Sequence, residues 1–467
     1  MRLLLSCVLL MATLPTVGGA AEVVTHRLDN GLKILIKPDH RAPVVVSQIW
    51  YRVGASYEYS GITGVSHLLE HMMFKGTEAH PEGEFSAIVA RNGGRENAFT
   101  GPDYTAYYEL LAADRLAVAF ELEADRMRNL VLESDAFQRE RDVVMEERRL
   151  RTEDEPTALT YEHLNATAFF NSPYGNPTIG WMSDIAGLTL TDLQDWYKRW
   201  YAPNNAVLVV VGDVQPDPVI ALAEQHFGPL EAAPEPTIRT RRETPQRGER
   251  RIEVAAPAKV PYLLFGYKVP TLGTAETDWE PYALTVLAQI LDGDNSARLA
   301  RELVRGQEIA ASAGAGYRLA ARLDKLFLFE GRPSQGHTVA ELEQALLAEI
   351  EKLQTTLVDE AELARVKAQV VAGEIYERDS IQHQAIQLGL YETIGLGWQV
   401  AEAYPDRIQA VTAEQVQSVA RQYLVPQQRT LAELVPKAID SAESPEPPDS
   451  AAPAQSAPTT TPPTSQE

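Results

Sequence analysis

Gly64-Val65-Ser66-His67-Leu68-Leu69-Glu70-His71-Met72-Met73-Phe74 carries two histidines and a glutamate at a spacing that a helix brings to one face. Positions i, i+3 and i+4 lie one above another on a helix, so His67, Glu70 and His71 project together. Two imidazoles one turn apart can hold a single zinc ion at about 2.0–2.1 Å each. Leu68, Leu69, Met72 and Met73 cover the other faces and bury the helix, which fixes its geometry. His-x-x-Glu-His is the inverted order of a zinc-peptidase motif, with the glutamate between the ligands as the candidate general base. Zinc acidifies a water on it to a pKa of roughly 7, so hydroxide is available at neutral pH. Two structural histidines beside a surface glutamate would give the same triplet, and the surrounding sequence must separate the two readings.

A catalytic zinc needs a third protein ligand and one open position. The stretch from Arg139 to Arg149, if helical from Ser134, places Glu140 and Glu147 two turns apart on one face beside Val143 and Val144, with Glu146 pointing elsewhere. A solvated charged helix has the same pattern, so spacing alone leaves the third ligand open.

Composition narrows the classes. The chain has 467 residues, 45% hydrophobic and 23% charged, enough for two or more domains with sizeable cores. A formal net charge of −23 argues against nucleic acid or an anionic membrane surface as partner, and suits basic peptides. Met1-Arg2, the apolar run Leu3 to Leu14 and the small residues Gly18-Gly19-Ala20 form an export signal cleaved after Ala20. An uncleaved N-terminal anchor is the alternative, and no later stretch is apolar for long enough to span a bilayer. Export puts the protein in the periplasm or outside the cell. The single cysteine, Cys7, lies inside the signal, so the mature chain has no thiol and must bind metal through His, Asp or Glu.

Around the motif the chain reads as mixed α+β. Strands are expected over Val23–Leu28 and Leu32–Ile36 flanking an Asn30-Gly31 turn, over Val44–Val53, over Asn97–Leu111 and over Val207–Val211. Helices are expected over Gly64–Lys75, Glu84–Asn92, Arg115–Asn129 and onward from Ser134. Residues 232–250, with three prolines, form a linker between a catalytic domain (21–231) and a second domain (251–436), in which a strand at Tyr262–Tyr267 and a helix at Tyr282–Leu291 restart the order. Ile185, Thr189 and Pro203 recur as Ile408, Thr412 and Pro426, each 223 residues on, which points to distant internal repeats. Residues 437–467, rich in Pro, Ser, Thr and Ala, read as a disordered tail.

The chain resembles the insulinase, pitrilysin and mitochondrial-processing-peptidase family of inverted zinc peptidases. The likeness runs from Leu28-Asp29-Asn30-Gly31-Leu32 to about Leu434. It is carried by Gly64-x-x-His67-x-x-Glu70-His71-Met72-x-Phe74-x-Gly76-Thr77, by Gly93-Gly94-x-x-Asn97-Ala98-x-Thr100-x-x-Asp103-x-Thr105-x-Tyr107 and by Glu140-Arg141-x-Val143-Val144-x-Glu146-Glu147. Pro173-Tyr174-Gly175 and Tyr201-x-Pro203-x-Asn205 agree with it. The resemblance implies that Glu147 is the third ligand of one zinc per chain, and that Glu140 supports the site. It implies that Asn97 and Ala98 lie on an edge strand that takes substrate by strand addition. It also suggests Phe74 and Phe99 as pocket walls, with core packing as their alternative. The fold implied is two homologous α/β-sandwich repeats, antiparallel-rich sheets packed with helices, forming one half of a clam-shell chamber that admits peptides and unfolded segments.

A departure bears on partners. Members of the family often carry an Arg and a Tyr in the C-terminal half that reach the zinc site. In this register Val304 and Ala311 occupy those places, with Arg305 nearby and no tyrosine before Tyr317. The resemblance therefore implies a heterodimer with a zinc-free homologous subunit that supplies them, or otherwise a homodimer. The reading that results is a zinc endopeptidase of the cell envelope. Its alternatives are a non-catalytic or assembly subunit, and a maturation peptidase for one precursor.

Overall fold

The computed structural model describes residues 22–438; the expected leader, Cys7 and the tail beyond residue 438 lie outside them. Two sheets organise the described residues. The first has six strands: β1 (Val24–Arg27), β2 (Lys33–Pro38), β3 (Val44–Tyr51), β4 (Arg95–Thr100), β5 (Thr105–Ala112) and β6 (Ala206–Gly212), in the order β1-β2-β6-β3-β5-β4. The second has five: β7 (Arg250–Pro257), β8 (Tyr262–Val269), β9 (Ala310–Gly316), β10 (Lys325–Pro333) and β11 (Arg429–Lys437), in the order β7-β11-β8-β10-β9. Without β1 the two orders are the same. In each, the first and last strands pair in parallel (β2 with β6, β7 with β11) and the other neighbours antiparallel. The chain is thus two repeats of one α/β unit.

The helices of the first repeat are α1 (Val65–Met72), α2 (Glu84–Arg91), α3 (Leu116–Asn129), α4 (Ser134–Arg148), α5 (Pro156–Ala168), α6 (Met182–Gly187), α7 (Leu190–Trp200) and α8 (Pro216–His226). Those of the second are α9 (Glu280–Asp292), α10 (Val339–Thr355), α11 (Glu360–Glu377), α12 (Ile381–Thr393), α13 (Gln399–Gln409) and α14 (Ala413–Tyr423). The 223-residue offset has a structural basis. Thr189 and Thr412 each cap a helix, α7 and α14, through a reciprocal capping box, and Ile185 and Ile408 are both fully buried. Pro203 and Pro426 each open a single helical turn before the closing strand, β6 or β11. Residues 231–249 carry neither helix nor strand.

Both faces of each sheet are covered. Val45, Ile49 and Tyr51 of β3 face a core shared with α1, α3 and α7, while Val46 and Trp50 face the other way. That outer face is covered by α12 of the second repeat, through Ala385 and Leu388. In return, Leu164 and Ala168 of α5 pack with Leu264, Ala432 and Leu434 on the outer face of the second sheet. The repeats therefore exchange equivalent helices, and strands buried on both faces explain why Val207–Val211 is apolar without alternation. The exchange is tied by ion pairs from Lys33 to Glu392 at 2.7 Å and from Arg41 to Asp379 at 2.8 Å.

The strand expected over Asn97–Leu111 is two strands. β4 and β5 form a hairpin closed where Gly101 N–H donates to the Tyr104 carbonyl at 2.8 Å. Gly101-Pro102-Asp103 is a turn signal that the apolar residues on either side obscure. The break leaves β4 at the edge of the sheet, beside α1.

Candidate active site

Helix α1 starts at Gly64, whose φ of 89° suits glycine, and has no side-chain cap of its own. Glu58, fully buried, replaces the cap by accepting the backbone N–H groups of Gly64 and Ser66, each at 2.8 Å. Leu68, Leu69 and Met72 are fully buried, which leaves His67, Glu70 and His71 turned towards a cavity of about 1400 Å³. The rings of His67 and His71 lie 4.7 Å apart.

Helix α4 supplies the rest. Glu147 Oε2 is 3.4 Å from His71 Nε2 and 3.9 Å from His67 Nε2. Glu140 Oε1, two turns earlier, lies 2.9 Å from His71 Nδ1, and its other oxygen takes Lys75 at 2.7 Å. Glu146 instead pairs with Arg149 near the surface. After α4 the helix widens over Arg149–Glu153, and Arg151 reaches back to Glu147 Oε1 at 2.6 Å.

This donor set fits zinc. Tetrahedral bonds of about 2.0–2.2 Å put ligand atoms roughly 3.3–3.6 Å apart, close to the separations found, and one atom from each of His67, His71 and Glu147 falls within a 4.8 Å group. Glu140 holds a proton on His71 Nδ1, which leaves Nε2 as the lone-pair donor. His67 Nδ1 is buried without a hydrogen-bond partner among the described residues. Burial, with the charges of His71 and Arg151, pushes His67 down to about 3, so it is a neutral imidazole at physiological pH. Burial pulls His71 down, but the Glu140 hydrogen bond and the Glu147 charge outweigh it and raise the group. The bond from His71, helped by Lys75, holds Glu140 down at about 2 despite burial.

Glu70 stands beside these three residues. Burial, with the nearby Glu147 charge, raises its pKa above the ordinary carboxylate value, against the hydrogen bond it accepts from Thr100 Oγ1 and the charge of His71. Thr100 ends β4, so the candidate base is tied to the edge strand. Asn97 and Ala98 lie on that strand and line the cavity, with Asn97 exposed. Phe99 lines it too and meets Trp50 edge-on at 5.3 Å. Phe74 is not among the lining residues. It packs on the buried Arg126, whose guanidinium also lies 4.2 Å from the Phe85 ring centre and 4.5 Å from that of Tyr107. Three residues beyond His71, Phe74 lies past the end of α1 and turns to the core.

The second repeat closes the cavity with Tyr317, Arg318, Lys325, Leu326 and Leu328. Val304 packs into the core, and Arg305 bonds the Asn295 carbonyl; neither lines the cavity. Tyr317 does, but its hydroxyl donates to the Pro270 carbonyl at 2.6 Å. Helix α9 follows β8 as α1 follows β3, and it holds no histidine. Another group, Glu374, Glu377 and His383, also comes within 4.8 Å, but Glu374 is engaged by Arg378 at 3.0 Å and by Gln387 at 3.0 and 3.1 Å. Sequence reasoning gave no role to Glu58, Thr100 or Arg151. The i, i+4 spacing of Glu147 and Arg151 was a usable signal for the last.

Residues 33–181 match the family model described as insulinase (peptidase family M16), and residues 187–370 match the M16 inactive domain. The zinc protease PqqE of Helicobacter pylori is 33% identical over 370 residues, covering 78% of this chain and 82% of that protein. A crystal structure of a protease from Helicobacter pylori superposes with a TM-score of 0.84 at 31% identity, over 89% of this chain and all of that one. The periplasmic protease PqqL from Escherichia coli shares the fold at a TM-score of 0.74 and 21% identity; 90% of this chain matches 49% of that one. By these matches over both of its repeats, the chain belongs to the insulinase family of peptidases, family M16.

Proposed function

We propose that this protein is a zinc-dependent endopeptidase that hydrolyses peptides or unfolded segments in the cell envelope. The observation that carries the reading is the convergence of His67, His71 and Glu147 on one point, with Glu70 beside it and an unpaired strand edge alongside. A bound zinc ion would be held by those three side chains, one per chain, and would supply Lewis acidity towards the scissile carbonyl and the attacking water. Glu70 takes the proton of that water and passes it to the leaving amine. Thr100 orients the Glu70 carboxylate. Glu140 keeps His71 turned with Nε2 inward. Asn97 and Ala98 on β4 receive the substrate backbone as an added strand, which selects extended chains over folded ones.

The sequence of residues 1–20 supports export to the periplasm. Two repeats, matching half the length of a larger relative, support pairing with a homologous zinc-free subunit, and so does the lack of an Arg/Tyr pair at Val304 and Ala311. The same lack favours a second reading, a non-catalytic subunit of such a pair. Glu70→Gln separates the two. Cleavage of a quenched peptide should fall by about 10²–10⁴ while metal analysis still finds zinc. Unchanged cleavage would overturn Glu70 as the base, and no cleavage by the native chain would overturn the enzyme reading.

A further inference from the structure

We propose that Lys325 and Arg318, on the wall contributed by the second repeat, form a carboxylate-binding subsite that selects peptides carrying a C-terminal or side-chain carboxylate. The inference rests on the peptidase reading and deepens it.

The cavity is asymmetric in charge. Its first-repeat wall carries Glu70, Glu147 and Glu162. Each already has a cation or donor: Glu147 takes Arg151, Glu162 takes Arg148 through two bonds of 2.8 Å, and Glu70 takes Thr100. The opposite wall carries two cations and no lining carboxylate. Acidic residues outnumber basic ones 65 to 42 in this chain, yet Arg318 has no ion pair and no side-chain hydrogen bond among the described residues. Lys325, mostly enclosed, also has none. Its ammonium sits 3.9 Å from the centre of the Tyr174 ring. The nearby acid, Asp103, is occupied by Arg322 at 3.2 Å, Ser56 at 2.7 Å and the Tyr174 hydroxyl.

An enclosed ammonium that keeps its charge costs free energy unless an anion answers it. Burial and the Arg318 charge push Lys325 down to about 8, against the charge of Asp103, so the cation persists at neutral pH. Arg318 lies between β9 and β10, Lys325 opens β10, and the segment that joins them is anchored. The Tyr174 hydroxyl accepts Arg322 N–H at 3.1 Å and Leu323 N–H at 3.2 Å, Arg322 reaches Ser56 at 2.7 Å, and Leu319 C=O takes Leu272 N–H at 2.9 Å. Lys325, largely enclosed, and Arg318, exposed beside it, face a peptide-sized cavity and match a substrate carboxylate, and the cost of enclosing Lys325 is recovered on binding. The acidity of the whole chain would favour basic peptides; the local wall selects the opposite charge.

The experiment uses the full mature chain bearing Glu70→Gln, with zinc, so that peptides stay intact. Fluorescence anisotropy compares one labelled neutral peptide as its amide, as its free acid, and as an amide with an internal glutamate. At least one carboxylate form should bind about tenfold tighter than the neutral amide, and which form does so identifies the source. Arg318→Gln and Lys325→Gln should each bring that ratio towards unity, while Lys325→Arg retains it. Equal affinity for all three peptides, or a ratio unmoved by Lys325→Gln, overturns the proposal. The peptidase reading fails on a different result, the absence of cleavage by the native chain.

Discussion

At the scale of single residues, Glu70, as the proposed base, joins two requirements that oppose each other. A base must be ionised to accept a proton, but burial and the Glu147 charge raise its pKa, and the Thr100 hydrogen bond works against that rise. Activity should therefore fall on the acid side as Glu70 protonates. Thr100→Val removes a hydrogen bond to a carboxylate worth about 1.5–3 kcal/mol. The carboxylate then becomes harder to ionise, so the acid limb should move up by about one pH unit or more with kcat reduced; a pH–rate profile that does not move would count against Glu70 as the base. Glu140 acts one bond further out. Glu140→Gln leaves His71 Nδ1 a weaker partner, and zinc affinity should fall by about 10–100-fold, measured by competition with a chelator, with the secondary structure intact.

At the scale of elements, the site depends on how α1 begins. Gly64 lies at φ 89°, and a Cβ there would come 2.5 Å from the Ile179 carbonyl oxygen. Gly64→Ala combines left-handed strain of about 1–2 kcal/mol with that clash, and His67 is three residues away. A lowered denaturation midpoint accompanied by weaker zinc binding is expected. A variant as stable as the parent would show that the helix start can relax without moving its ligands. Helix α4 contributes by rigidity: Glu140 and Glu147 both reach α1 because seven residues of helix make nearly two whole turns.

For the whole molecule, the exchange of α5 and α12 joins the repeats and brings the second sheet's loop to the cavity. Gly389 of α12 lies against Trp50, where a Cβ would fall 2.2 Å from the indole, and Trp50 is itself fixed by a 2.8 Å bond to Gln48. Gly389→Ala should cost about 1–3 kcal/mol as overpacking, read by denaturant unfolding. No loss would mean that α12 lifts easily from the first sheet.

What the sequence determined by itself is local. Helical spacing placed His67, Glu70 and His71 on one face and put Glu140 in step with Glu147, because those relations depend only on 3.6 residues per turn. The repeat was legible at Thr189 and Thr412, since a capping box is a short-range device. Family likeness, rather than spacing, chose Glu147 as ligand. Tertiary structure decided the rest: that Phe74 turns to Arg126, that a buried Glu58 caps α1, that Thr100 meets Glu70, and that Lys325 faces the same cavity as His67. Each of these joins residues through burial and close packing across the fold, and no periodicity along the chain encodes which distant side chains share one desolvated space.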